Sequence, residues 1–303
     1  MGVLYFFESI RIPVLNEFML LITRFGEETA FLVAALIVFW CVDKYKGYYL
    51  MAVGFLGTMF TQILKLACRV PRPWVLDPDF TILEQAREAA SGYSFPSGHS
   101  QSAVGTFGGI AYVTKNKWVK GICIAIAVLV PLSRMYIGVH TPWDVLVGSA
   151  IALALVIDLR RDVLSKQEKN MKLLIAVMLA VSVGFLLYVT LYPFPADFDA
   201  HNLESGMKNA YTMLGCLVGV AIVYIADSRY LNFDTKAIWW AQILKVILGL
   251  GTVLAIKEGL RTPLELLLPV LPARAARYFL IVVWAGIGWP CTFRFFAKLG
   301  VKK

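Results

Sequence analysis

Nine apolar stretches limit what this chain can become. They run over roughly 29–42, 48–64, 98–114, 120–137, 142–158, 172–192, 209–226, 237–256 and 277–293 of 303 residues. Each is near the length that an α-helix needs to cross a bilayer. Among lipid tails every backbone amide must find its partner within its own segment, so these stretches read as helices. Hydrophobic residues make up 59% of the chain and charged residues 16%, against about 45–50% and about 25% in soluble domains. The sequence therefore predicts an all-α polytopic membrane bundle of about nine transmembrane helices. Residues 3–24 differ, because Phe6, Ile10, Val14, Leu15, Met19 and Ile22 alternate with Glu8, Arg11, Glu17 and Arg24. That mixture predicts one N-terminal helix lying in the membrane interface. The opening MGVLYFFESI has no basic lead, too short an apolar run for a cleaved signal peptide, and no Ser or Thr at position 6 for myristoylation.

The net charge of +9 would suit nucleic acid, but its distribution argues otherwise. With nine spans, one side carries the loops near 43–47, 115–119, 159–171 and 227–236 and the C-terminal tail, with 16 Lys and Arg against 6 Asp and Glu. The opposite side carries 12 against 14. The excess of cations puts the first set, and the C-terminus, in the cytoplasm of a cell-membrane protein. The basic run 160–172 is then a topology anchor, and no nucleic-acid partner is expected. Cys41, Cys68, Cys123, Cys216 and Cys291 fall in or beside apolar spans with no metal-like spacing, as small buried hydrophobes would. Nothing in the sequence assigns an oligomeric state.

Three polar segments remain. In GYSFPSGHSQSA (92–103), Pro96, Ser97, Gly98 and His99 stand where an apolar helix begins. In KLACRVPRP, Lys65, Arg69 and Arg72 would share one face about 10 Å long if the helix continued, until Pro71 and Pro73 force the chain out. Read alone, these cations are snorkelling span ends. In SRMYIGVHTPWDVLVG, Thr141, Pro142 and Asp144 form a helix start with a capping carboxylate. His140 immediately precedes that cap, and Arg134 lies six residues earlier. A carboxylate that accepts from one imidazole nitrogen leaves the other free as a nucleophile. All three segments emerge on one side of the predicted bundle. Together they gather Lys65, Arg72, Arg134, two of the three histidines and a carboxylate. Guanidinium forks suit phosphate oxygens, and the amides opened by Gly98 offer a further anion site.

K-x6-R-P from Lys65 to Pro73, P-S-G-H from Pro96 to His99 and S-R-x5-H-x3-D from Ser133 to Asp144 together resemble the type-2 phosphatidic acid phosphatase superfamily. That superfamily includes membrane lipid phosphatases and soluble haloperoxidases. The resemblance implies a metal-independent phosphatase without cofactor. His140 would be the nucleophile, Asp144 would orient it, and His99 would serve as acid and then base. Lys65, Arg72, Ser97, Gly98 and Arg134 would hold the phosphate, while Arg69 lies outside the motif. The implied partners are the bilayer and a lipid phosphate or diphosphate of the undecaprenyl diphosphate, phosphatidylglycerol phosphate or phosphatidic acid kind, met at the extracytoplasmic face. A sugar-phosphate phosphatase resembling glucose-6-phosphatase, and a non-catalytic lipid-phosphate binder or transporter, are the alternatives. The motifs assign residues 1–160 to a phosphatase core and leave 161–303 as membrane helices without a role. Within the latter, LELLLPVLP (264–272) is too short to span and is ringed by Lys257, Arg261, Arg274 and Arg277. It reads as an interfacial hairpin, or as a wall of the lipid entrance.

Overall fold

The computed structural model describes residues 1–87, 90, 92–196 and 198–299. Glu88, Asp197, Lys302 and Lys303, counted in the charge balance, lie outside the described residues. Among the described residues the chain is all-helical, as the apolar stretches require. Seven helices are long and apolar enough to cross a membrane. Pro13–Gly26 and Glu28–Val42 can count as an eighth span, bent by 57° at their junction. The remaining predicted stretch, 98–114, is helical from Gly98 to Val113 through a wider turn at Val104–Gly108. At about 24 Å it falls short of a full crossing.

The chain divides into two compact units. The first comprises Met1–Ala34, Tyr49–Arg161 and Asp199–Ser205; the second comprises Ala35–Tyr48, Asp162–Phe198 and Gly206–Lys303. In the first, the predicted N-terminal interfacial helix is two helices, Gly2–Ser9 and Pro13–Thr23. Pro13 has no amide hydrogen and can only open a helix, so the break falls just before it. These helices also turn inward more than their mixed pattern suggested. Leu4 is fully buried with Phe80 and Ile82, and Phe7, Leu15 and Met19 pack on Tyr136, Ile137 and Val139. Arg11 donates to the Tyr136 carbonyl from Nε and Nη2 at 3.1 and 3.0 Å, and to the Thr81 carbonyl at 2.9 Å. Asn16 accepts from the Tyr136 hydroxyl at 2.7 Å. The N-terminal pair thus clasps the end of the Lys117–Tyr136 helix, where Arg134 stands.

In the second unit, Asp43 Oδ1 accepts from the amides of Tyr45 and Lys46 at 2.8 and 3.1 Å, which caps the start of the Lys44–Cys68 helix. A buried ion pair joins Lys44 to Asp227 at 2.9 Å. The expected hairpin is the short helix Arg261–Leu267 followed by Val270–Val283. Leu266 and Leu267 are exposed, and Arg261 faces Glu265 at 3.6 Å on the surface. That arrangement suits the interfacial reading.

Candidate active site

The three motif segments converge within the first unit. The Lys44–Cys68 helix ends at Cys68, and Arg69 takes a positive φ of 54°. Positions 65, 69 and 72 therefore do not share a helical face as the sequence suggested. The Pro71–Arg72–Pro73 run forbids it. Arg69 is exposed, whereas Arg72 turns inward and is buried. Its Nε donates to the Gly92 carbonyl at 2.9 Å, and its Nη1 reaches the Val139 carbonyl at 2.9 Å and His140 Nε2 at 3.0 Å. Gly92 holds a φ of +80°, a conformation glycine adopts without steric cost. Lys65 Nζ donates to the Tyr93 carbonyl.

Ser97 begins the Gly98–Ala103 helix as its cap. Its Oγ accepts from the Ser100 amide at 3.4 Å and the Ser100 hydroxyl at 2.9 Å, and its own amide donates to the Asp144 carbonyl at 2.9 Å. The Pro142–Leu164 helix lies so close to this turn that a Cβ on Gly148 would overlap the Ser97 backbone. Gly98 is different. A Cβ there would meet only the Thr61 methyl, at 3.9 Å, so protein packing does not demand glycine. What its absent side chain leaves open is the cavity that Gly98 lines. Ser97 is therefore a cap, and the residue after it opens an amide to an anion. The cap and the candidate anion donor are adjacent residues.

His140 and Asp144 show a similar double use. Asp144 Oδ2 accepts from the Thr141 amide at 2.7 Å, the capping bond expected from sequence, and also from Ser94 Oγ at 2.6 Å. The same oxygen lies 3.5 Å from His140 Nδ1. Arginine only donates, so its approach to His140 Nε2 makes that nitrogen the acceptor. The proton then belongs on Nδ1, facing Asp144. Burial pushes the His140 imidazole well below its ordinary pKa, and the positive fields of Arg72, Arg134, Lys65 and His99 push the same way. The ring is held neutral, with the Nε2 lone pair directed at a cation that an anion could draw away.

Arg134 is almost fully buried. Its Nη1 donates to Thr23 Oγ1 at 2.8 Å, while its Nε is buried without a hydrogen-bond partner. Lys65, Arg72, Arg134, Gly98, His99 and His140 all line one cavity of about 250 Å³. Asp144 and Ser97 stand behind that wall and act through His140 and the helix start. Sequence reasoning missed Ser94 and Thr23, which orient Asp144 and Arg134. Ser94, two residues before the PSGH turn, carried the only available signal, since a hydroxyl beside a histidine motif is a natural second donor.

A helical membrane protein that gathers three cations and two imidazoles around one cavity is in the class of membrane phosphatases, hydrolases of phosphate esters. Residues 45–168 match the PAP2 superfamily, and residues 211–302 match the PAP2 superfamily phosphatase, transmembrane extension. Phosphatidylglycerophosphatase B of Bacillus subtilis is 34% identical over 161 residues, 48% of this chain and 74% of that protein. Undecaprenyl-diphosphatase of Sulfolobus acidocaldarius is 29% identical over 140 residues, 46% of this chain and 66% of the relative. Human sphingosine-1-phosphate phosphatase 2 is 29% identical over 138 residues, 44% and 34% of the two chains. No solved structure matches the chain significantly. The chain belongs to the PAP2 superfamily. The second match reaches into the C-terminal half that the three motifs left without a role.

Proposed function

We propose that this protein is a multi-pass lipid phosphate or diphosphate phosphatase that works through a phosphohistidine, with its site at the extracytoplasmic face. The observation that carries the reading is the convergence of Lys65, Arg72, Arg134, His99 and His140 on one cavity, with His140 Nε2 facing Arg72 Nη1 at 3.0 Å. A phosphate entering the cavity draws Arg72, Arg134 and Lys65 onto its oxygens and frees the Nε2 lone pair. Nε2 attacks phosphorus and the P–O bond to the leaving group breaks, with His99, protonated once the bound phosphate offsets the surrounding cations, giving its proton to the departing oxygen. Asp144 supports the imidazolium through Nδ1, and the Gly98 amide adds a donor at the helix start that Ser97 caps. In the second step His99 takes a proton from water. That water attacks phosphorus, the P–N bond breaks, and inorganic phosphate leaves. The three fixed cations supply the charge stabilisation that a metal ion gives elsewhere, so the reaction is expected to proceed in excess EDTA.

The names of the bacterial and archaeal relatives, phosphatidylglycerophosphatase and undecaprenyl-diphosphatase, support a lipid substrate. The decisive experiment is rapid acid-free quenching of detergent-purified protein with a ³²P-labelled lipid phosphate. Wild type is expected to carry label on histidine. His140→Ala should carry none and lose at least about 10⁴-fold in turnover, while His201→Ala should remain close to wild type. Label or near-normal turnover in His140→Ala would sink the mechanism. Sidedness has its own test, with single cysteines at Gln85 and Ser165 in a chain freed of its native cysteines. Gln85 is expected to react from outside and Ser165 only after permeabilisation. Labelling from the same side would overturn the extracytoplasmic assignment.

A further inference from the structure

The Lys117–Tyr136 helix ends on the turn that leads to His140, and its last carbonyls show how that turn is fixed. The final four carbonyls of an α-helix have no partner among the helical amides. Here three are completed by the amides that follow. The Ser133 carbonyl accepts from Ile137 at 2.9 Å, the Arg134 carbonyl from Val139 at 3.1 Å and the Met135 carbonyl from Gly138 at 3.1 Å. Gly138 holds a φ of +87°, so the last two bonds are those of a left-handed glycine cap. The fourth carbonyl, of Tyr136, instead takes a side chain. Arg11 donates to it from Nε at 3.1 Å and from Nη2 at 3.0 Å. A guanidinium suits that place, because the carbonyl end of a helix is its negative end.

The same turn is tied to the site. The Ile137 carbonyl accepts from the Leu83 amide at 3.1 Å, and the Val139 carbonyl accepts from Arg72 Nη1 at 2.9 Å. That Nη1 also lies 3.0 Å from His140 Nε2, so the backbone at Val139 sets where Arg72 meets the imidazole. Arg11 joins the turn to its neighbouring loop, since its Nη1 donates to the Thr81 carbonyl at 2.9 Å. A Cβ on Gly138 would stand 2.9 Å from Arg11 Nη2 and 3.0 Å from the Phe80 ring, which places guanidinium and turn in direct contact. The ties from Leu83, Gly138 and Val139 are backbone amides that most sequences supply. The tie from Arg11 is a side chain's, made across 125 residues of sequence.

We propose that Arg11 is a positioning residue for phosphoryl transfer. By holding the Tyr136–Gly138 turn it fixes the Val139 carbonyl, and through that carbonyl the meeting of Arg72 with His140. Arg11 does not line the cavity, so it acts on the reacting atoms only through the turn. The inference rests on the phosphohistidine reading of the same site. Small misplacements of a reacting group cost up to about 10²-fold in rate. Lys65, Arg134 and the Gly98 amide would still hold the phosphate, so the chemical step should suffer far more than binding.

The test is a single-turnover assay with the full chain in mixed micelles, in excess over ³²P-labelled dioleoyl phosphatidate or farnesyl diphosphate, whichever wild type turns over faster. The limiting rate constant at saturating enzyme does not depend on the fraction of protein that is folded, which is all that a merely structural role would change. Arg11→Met should lower it about 30-fold. The half-saturating concentration, counted as monodisperse protein, should stay within about threefold. Arg11→Lys keeps the charge without the fork and should lose about fivefold. Tyr5→Phe breaks the 3.0 Å bond from the same N-terminal segment to Asp77 without touching the turn, and it should keep the wild-type rate constant. An unchanged rate constant in Arg11→Met, or an equal loss in Tyr5→Phe, overturns the inference and leaves the mechanism standing. Where Arg11→Met does not fold, Arg11→Lys decides, and a wild-type rate constant there overturns the inference. Wild type that releases phosphate from neither lipid overturns the phosphatase reading and the inference with it.

Discussion

Arg134 and Lys245 are both cations in the middle of apolar sequence, both essentially without exposure, yet the two units treat them in opposite ways. In the second unit Lys245 Nζ donates to the Thr235 carbonyl at 3.0 Å and sits 4.3 Å from the centre of the Phe293 ring. The nearby Lys44 is neutralised by Asp227. In the first unit Arg134 donates to Thr23 from Nη1 and leaves its Nε unpaired, and it faces a cavity with two other cations. A buried charge is tolerated when fixed dipoles or an opposite charge complete it. Lys245 is completed by its own unit. Arg134, Arg72 and Lys65 form a like-charged cluster that an anionic ligand would complete, and that incompleteness separates a site from a structural polar contact.

The comparison breaks most readily at those two residues. Arg134→Lys keeps the charge but loses the planar fork, and we expect roughly 10²-fold lower kcat/KM on a lipid phosphate. Lys245→Met removes a charge that no ligand uses. The Thr235 carbonyl keeps its bond from Gln242 Nε2 at 2.8 Å, so activity should stay within about twofold and thermal stability should hold or rise. Steady-state assays and a melting curve on the two purified variants decide it. Comparable activity losses in both would erase the distinction between the units.

The sequence made the helical membrane class legible because lipid leaves apolar stretches no alternative to helices. Of the candidate site, the gathering of its polar segments was legible: Lys65, Arg72, His99, Arg134 and His140 line one cavity, as the grouping of the three motifs had suggested. Local chain direction was harder to read. The face shared by 65, 69 and 72 does not exist, because prolines at 71 and 73 end the helix before Arg72 returns from the loop. The N-terminal segment looked interfacial, since alternating polar and apolar residues cannot distinguish water from a carbonyl that needs a donor. Arg11 and Asn16 turned out to serve Tyr136. Thr23 was invisible for a related reason, and Ser94 offered only its place beside the PSGH turn: a lone hydroxyl carries no periodic signal, and its value depends on which distant side chain the fold delivers.

The smallest expected effect concerns the protonation of His140, and it tests whether the first unit's cationic field does what its geometry implies. A folded-state pKa held below the ordinary imidazole value, about 6.5, means that the neutral ring persists as pH falls through that value. The unfolded chain takes up a proton there while the folded chain does not. His140 therefore contributes stability that is present above the unfolded pKa and is lost as pH falls towards the folded one. With three histidines in the chain, ¹⁵N-histidine labelling in micelles, assigned with His99→Ala and His201→Ala, isolates the signal. His140 should keep the pattern of a ring protonated on Nδ1 as pH is lowered from about 7.5 past 6.5. Free histidine in the same buffer titrates over that range. Neutralising part of the field with Arg72→Met should move the His140 transition upwards, since Arg72 is the first charge acting on it after burial. A His140 that protonates at or above the ordinary value in the wild type would show that its Nε2 is not kept free by the cations around it. The contrast between the field left open around Arg134 and the completed charge of Lys245 would then lose its chemical consequence.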